Sequence, residues 1–112
     1  MENSFFILNT SLGSFLIDSS TIIRIEASSN YSRLYFIDGK IMVTAKLLKW
    51  FEEKLSPHLF IRLHRSHLVN NRFLVSHQHV GHELKLIDGN FIQVSRRRRK
   101  SVLIKSTLAC SA

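Results

Sequence analysis

Short apolar segments separated by polar turns follow one another along most of the chain. These segments are rich in Ile, Val, Leu, Phe and Tyr and are interrupted by Gly, Asp, Asn or Ser, a pattern typical of β-strands. We predict strands at Phe5–Leu8, Ser14–Ile17, Ile22–Ala27, Arg33–Ile37, Ile41–Thr44, Phe60–His64, Phe73–Val80, Leu84–Ile87 and Phe91–Ser95. The pattern therefore predicts a mainly β fold.

Two tight turns are marked by Asp-Gly pairs between apolar runs, at Asp38-Gly39 and at Asp88-Gly89. Asp and Gly both tolerate the positive φ angles that a type I′ turn requires at its two central positions. We therefore predict two β-hairpins closed by type I′ turns.

One stretch follows a helical period instead. Its apolar side chains recur every three or four positions, which predicts an amphipathic helix over Thr44–Leu55. Thr44 is the expected N-cap, and Ser56-Pro57 ends the helix. We expect this helix to cover one face of a sheet, with Trp50 and Phe51 in the core.

Length and composition are those of one globular domain. The chain has 112 residues, 45% of them hydrophobic, so we expect a single domain over residues 1–112 with its core at about 5–108. The single cysteine, Cys110, cannot form an internal disulfide. No apolar run reaches the roughly 18 residues of a membrane span, and the N-terminus lacks a basic signal region. We therefore expect a cytoplasmic protein that does not span a membrane.

Charge divides the chain into two unlike halves. The formal net charge is +8, and all of it lies beyond residue 57, where the chain has ten basic and two acidic side chains. Such an asymmetry indicates a polyanionic partner, such as nucleic acid, an anionic membrane surface or an acidic protein.

The densest basic run is Arg96–Lys100, at the start of a second predicted helix that extends to Leu108 after a Ser95 cap. The positive end of the helix dipole disfavours each cation there by about 0.3–1 kcal/mol, and neighbouring cations repel one another. An external anion would relieve this cost, and arginine suits both phosphate oxygens and the edge of guanine.

A second polar segment runs from His64 to Asn71 and contains two apolar anchors, Leu68 and Val69. We expect a loop or helical turn whose anchors hold its polar side chains against the core. Asn70 or Asn71 can bond to adenine through two hydrogen bonds, or can simply cap the backbone.

Three motifs in order resemble the LytTR-type DNA-binding domains of bacterial transcription regulators. Residues 60–70 (FIRLHRSHLVN) resemble the family signature, residues 22–31 (IIRIEASSNY) its upstream strand and turn, and residues 89–97 (GNFIQVSRR) its closing segment. Gln93 stands where proline is common in the family. The resemblance covers nearly the whole chain.

The resemblance implies a fold of stacked small antiparallel sheets, an elongated β sandwich, with one or two short helices. It also implies sequence-specific binding of double-stranded DNA by loops that enter successive major grooves. The residues implied in base contact are Asn70, Arg96, Arg33 and Ser32. Those implied in backbone contact are Tyr31, His64, Arg65, Ser66, Arg97, Arg98, Arg99 and Lys100.

Family members commonly carry a receiver domain or membrane segments before this domain, and neither is expected here. The chain is then a stand-alone or excised output domain, or is regulated by a separate chain. Tandem copies or a dimer on repeated sites are expected. Neither a cofactor nor a membrane partner is expected.

Other functions have weaker sequence support. No nucleophile elbow, paired acidic site or Gly-rich phosphate loop indicates an enzyme. His77, His79 and His82 would leave a metal ion short of ligands, so an exposed polar hairpin is preferred. RNA binding is the main alternative, but the basic segments 63–71 and 96–112 contain no aromatic residue to stack on bases.

Overall fold

The computed structural model describes residues 4–78 and 82–99. Within them lie the strands β1 (Phe5–Thr10), β2 (Gly13–Asp18), β3 (Ile22–Ser28), β4 (Tyr31–Phe36), β5 (Ile41–Thr44), β6 (Phe60–His64), β7 (His67–Asn70), β8 (Leu74–Gln78), β9 (Glu83–Leu86) and β10 (Phe91–Gln93). One α-helix, α1 (Leu48–Lys54), and the 3-10 turns Ser19–Thr21, Asn71–Phe73 and Arg96–Arg98 complete the described elements.

The strands form three small antiparallel sheets. A central sheet has the order β5-β4-β3-β7-β6, a second has the order β10-β9-β8, and β1 pairs with β2. The predicted class, stacked small antiparallel sheets with a short helix, is confirmed.

Two apolar cores lie on opposite faces of the central sheet. On one face, Phe51 and Leu48 of α1 pack with the β1–β2 hairpin over Ile25 and Leu34. The rings of Trp50 and Phe51 meet edge to face at 5.0 Å, so both contribute to this core as predicted.

The second core joins the β6–β7 half of the central sheet to the three-stranded sheet. Its members are all buried aliphatic side chains: Ile23, Ile61, Leu63, Val69, Leu84, Leu86, Ile92 and Val94. Ile22 and Ile23 of β3 enter different cores, and a register shift between Ile22 and Arg24 returns Ile25 to the first core. A bulge of this kind inserts one residue and so changes which face later side chains occupy.

Several predicted boundaries differ from the observed ones. The helix begins at Leu48, with Leu47 at the N-cap position, because Thr44 ends β5 and its Oγ1 accepts a hydrogen bond from the Lys46 amide. Strand β7 was not predicted. The predicted second helix is seen as a 3-10 turn at Arg96–Arg98, and its remainder beyond residue 99 lies outside the described residues.

Both Asp-Gly hairpins are present, but their turns are not type I′. Only the glycines have positive φ, +90° at Gly39 and +89° at Gly89. In each turn the glycine amide donates to the carbonyl three residues earlier, and the aspartate side chain accepts from the amide two residues later. This is the longer hairpin loop that ends in one left-handed residue.

Candidate nucleic-acid interface

One end of the central sheet gathers several polar turns. Because neighbouring strands are antiparallel, β3 and β6 end where β4 and β7 begin, so the turns at residues 29–30 and 65–66 lie at the same end. The Ala27 amide donates to the Ser66 carbonyl at 2.9 Å and joins the two turns.

The arginine run lies beside this end. The Ser95 amide donates to the Leu63 carbonyl at 2.9 Å, and Nη1 of Arg98 lies 3.5 Å from the Arg62 carbonyl oxygen. These contacts place the 3-10 turn Arg96–Arg98 against β6. We call residues 29–31, 64–66 and 96–98 together the sheet-end surface.

The β6–β7 turn presents Arg65 at its tip, with an exposed side chain. The ring of His64 accepts a hydrogen bond from the Ser66 amide at Nδ1, at 3.2 Å. The neutral ring therefore carries its proton on Nε2, which remains able to donate to an anion.

The β3–β4 turn is tight, with Ser29 in the left-handed region at φ 55°. Tyr31 follows it and is 55% exposed. Arg33 lies two residues further along β4 on the same face, where its Nη1 is 3.9 Å from the Glu26 carboxylate. Arg33 thus lies on the open face of the central sheet, next to the sheet-end surface.

Asn70 is not part of the sheet-end surface. It lies at the other end of β7 with no exposed area, where Nδ2 donates to the Ile22 carbonyl and Oδ1 accepts from the Arg72 amide. A side chain with no accessible surface and both amide groups bonded cannot reach a base edge. The expected base contact is therefore corrected: Asn70 caps the 3-10 turn Asn71–Phe73.

Ser32 is corrected for the same reason. Its side chain is 1% exposed, and its hydroxyl donates to the Lys46 carbonyl at 2.7 Å. This bond holds the segment between β5 and α1 against β4. The side chain points away from Tyr31 and Arg33 because successive residues of a strand face opposite sides.

The other predicted residues are exposed or partly exposed where described. Arg96 and Arg97 are exposed, whereas Arg98 and Arg99 are partly buried. The Ser95 side chain does not cap the turn. Lys100 lies outside the described residues.

Arg24 of β3 pairs with two acidic side chains. Glu26 lies 3.4 Å from Nη1 of Arg24, and Asp88 lies 3.3 Å from Nε of the same residue. Although burial acts to raise it, the pKa of Asp88 is held below its ordinary value by hydrogen bonds from Asn90 and Arg24. Arg24 is buried, so its charge is engaged within the protein by these two carboxylates.

His67 follows the β6–β7 turn, and its Nδ1 lies 3.9 Å from the Glu26 carboxylate. Its burial lowers the pKa of the imidazole, an effect that the Glu26 charge opposes and that His64 and Arg24 reinforce. The ring is therefore neutral near pH 7.

Arg62, to which the sequence assigned no role, contacts several groups at this end of the sheet. The Arg62 guanidinium donates to the carbonyls of His64 and Arg65 and to the Glu52 carboxylate. Its signal in the sequence is an arginine between two buried aliphatic residues of a strand.

The described residues hold no group of three or more side chains suited to a metal ion. His79, one of the three histidines considered as metal ligands, lies outside the described residues. No helix within residues 4–78 and 82–99 is long and apolar enough to cross a membrane.

Comparison with known proteins gives a family match and a structural match. The model of the LytTr DNA-binding domain family matches residues 13–105. A solved structure described as the LytTr DNA-binding domain of a methyl-accepting/DNA response regulator from Bacillus cereus has a TM-score of 0.73 and 24% sequence identity, covering 95% of this chain and 98% of its own. No curated protein matches.

Proposed function

Because the chain belongs to the LytTR family of DNA-binding domains, we propose that it binds double-stranded DNA sequence-specifically through the sheet-end surface. In this proposal the β6–β7 turn and the arginine turn enter the grooves of one duplex. The domain then acts as the output domain of a bacterial transcription regulator. The family is one of DNA-binding domains and not of catalysts.

The observation that carries the proposal is the contact between the two basic segments. The hydrogen bond from Ser95 to Leu63 and the approach of Arg98 to Arg62 bring residues 64–66 and 96–98 side by side. Donors clustered on one surface can contact one duplex, whereas donors on opposite faces cannot.

The structure changes which side chains we propose for base contact. Arg65 and Arg96 are exposed on the sheet-end surface and can each bond to guanine through two hydrogen bonds. Arg33 remains a proposed base contact at its margin. For phosphate contact we propose Tyr31, His64, Ser66, Arg97, Arg98 and Arg99. Asn70 and Ser32 are buried, and we assign them to the fold and not to DNA contact.

Two partners besides DNA are proposed: a second copy of the domain and a source of the regulatory signal. A domain of this size covers one half-site, so two copies on repeated sites would gain both affinity and specificity. A separate chain, or a segment joined to this domain, would supply the regulatory signal.

RNA binding has little support in the described surface. RNA modules stack unpaired bases on several aromatic side chains. Among the described residues of the sheet-end surface, Tyr31 is the one Phe, Tyr or Trp, and the His64 ring is the one other ring that could stack on a base.

Selection from random pools tests the proposal. The protein is incubated with a random 30-base-pair duplex library and, in parallel, with a random RNA pool, and bound molecules are recovered over several rounds. We expect a duplex motif with defined bases in two adjacent major grooves. Enrichment of RNA alone, or of duplexes without a shared motif, would contradict the proposal.

A further inference from the structure

Arg62 lies in β6 between the buried residues Ile61 and Leu63, and its side chain is only 15% exposed. All three guanidinium nitrogens are engaged within the protein. Nε donates to the His64 carbonyl at 2.7 Å, Nη2 donates to the Arg65 carbonyl, and Nη1 donates to the Glu52 carboxylate. The guanidinium thus binds the backbone of the turn that carries Arg65.

The same residue also contacts the arginine turn. The Arg62 carbonyl oxygen lies 3.5 Å from Nη1 of Arg98, and the next residue, Leu63, accepts from the Ser95 amide. Arg62 therefore connects α1, the β6–β7 turn and the arginine turn. A guanidinium holds its N–H donors in one rigid plane, so it fixes the relative positions of the acceptors it binds.

We propose that the Glu52–Arg62 pair positions the β6–β7 turn for DNA recognition, with Arg62 acting through Arg65 and not through its own contact with DNA. This inference rests on the function proposed above. Glu52 is the acidic partner that orients the guanidinium from α1.

The pair is suited to this role more than to stabilising the fold. The side chains of Glu52 and Arg62 are 37% and 15% exposed, and ion pairs with an exposed partner contribute little to stability. They lie in the wall of an open cleft of 280 Å³ that also includes Leu55, Phe60 and Arg98. Substitution of Glu52 should therefore leave the protein folded.

The substitution Glu52→Gln tests the proposal by the direction in which it changes DNA affinity. Removing a negative charge near a DNA-binding surface should strengthen binding if only the overall field matters. If Glu52 positions Arg62, the same substitution should weaken specific binding. Glu53→Gln is the matched control, because Glu53 is the next residue of α1, is exposed and makes the same charge change.

The readout is the dissociation constant for two probes, a duplex recovered from the random library and a duplex of the same composition in permuted order. We expect Glu52→Gln to weaken binding to the recovered duplex by about tenfold, within the range for a disturbed base contact. Binding to the permuted duplex should be unchanged or slightly tighter. Glu53→Gln should not lower the ratio of the two affinities.

Arg62→Gln separates positioning from direct contact. A side chain that neutralises a phosphate contributes about −0.9 to the slope of log affinity against log salt. We expect Arg62→Gln to lower specificity without changing that slope, with folding checked by thermal unfolding. A slope shallower by about one, or equal effects of Glu52→Gln and Glu53→Gln, would overturn the inference. If the wild-type protein does not discriminate between the duplexes, the proposed function itself fails.

Discussion

The side-chain amide of Asn70 donates a 2.9 Å hydrogen bond to the carbonyl of Ile22, and joins the end of β7 to the start of β3. Its carbonyl oxygen accepts from the Arg72 amide, also at 2.9 Å. Both groups of a fully buried side chain are thus paired, so Asn70 serves the fold at the end of β7 that lies away from the sheet-end surface.

Asn70→Ala should therefore destabilise the protein without removing a DNA contact. Leaving the buried Ile22 carbonyl and the Arg72 amide without their partner should cost about 1–3 kcal/mol, measured by urea unfolding. The folded variant should keep the wild-type preference for the recovered duplex. Asn9→Ala, at an exposed position of β1, is the control and should change stability by about 0.5 kcal/mol or less. Loss of specificity with normal stability would instead assign Asn70 to DNA.

Arg65→Ala and Arg96→Ala should each weaken binding to the recovered duplex by about 1–3 kcal/mol and weaken binding to a permuted duplex much less. Both side chains are exposed on the sheet-end surface. Arg72→Ala removes another exposed arginine, near the opposite end of β7, and should have little effect. Fluorescence anisotropy titrations measure these differences. Equal losses on both duplexes would reassign Arg65 and Arg96 to phosphate contacts.

Binding should weaken steeply as salt is added. If about six phosphates are neutralised, the slope of log affinity against log salt is about −5. Arg97→Ala should make this slope shallower by about one. Lys40→Ala should not, because Lys40 follows the β4–β5 turn at the far end of the central sheet. A flat salt response of the wild-type protein would contradict the electrostatic basis of binding.

Stability should fall on acidification through the region where an ordinary histidine becomes protonated. Burial lowers the pKa of His67 in the folded protein, so the unfolded chain takes up a proton first as the pH falls below about 6.5. Each step towards lower pH then favours unfolding until the folded protein is protonated as well.

Urea unfolding at pH 7.5 and pH 5.5 measures this dependence. His67→Gln should reduce the loss of stability between the two conditions, whereas His58→Gln, at an exposed position, should not. The groups around His67 are Glu26, His64 and Arg24. If His67→Gln keeps the full wild-type pH dependence, burial of this imidazole is not its cause.

Apolar segments separated by polar turns were enough to predict most of the strands. This pattern failed at β7, where Leu68 is buried in one core and Val69 in the other. A strand covered on both faces loses its period of two and resembles an anchored loop. For this reason Asn70 was expected on a polar surface and is found in the interior.

The burial of Ser32 could have been predicted from the sequence. Tyr31 and Arg33 flank it in a strand, and if both face outwards then Ser32 must face the core. The hydrogen bond to the Lys46 carbonyl, 14 residues away, depends on tertiary packing and has no such signal. Likewise, the approach of Arg98 to Arg62 joins residues 36 positions apart.

The most direct measurement of the central claim is a map of backbone amide shifts on adding the recovered duplex to ¹⁵N-labelled protein. If one duplex contacts the whole sheet-end surface, the amides of residues 29–31, 64–66 and 96–98 should shift together and saturate at the same DNA concentration. The amide signals of the β1–β2 hairpin should not shift. Shifts confined to one of the three segments, or centred on the β1–β2 hairpin, would contradict the account.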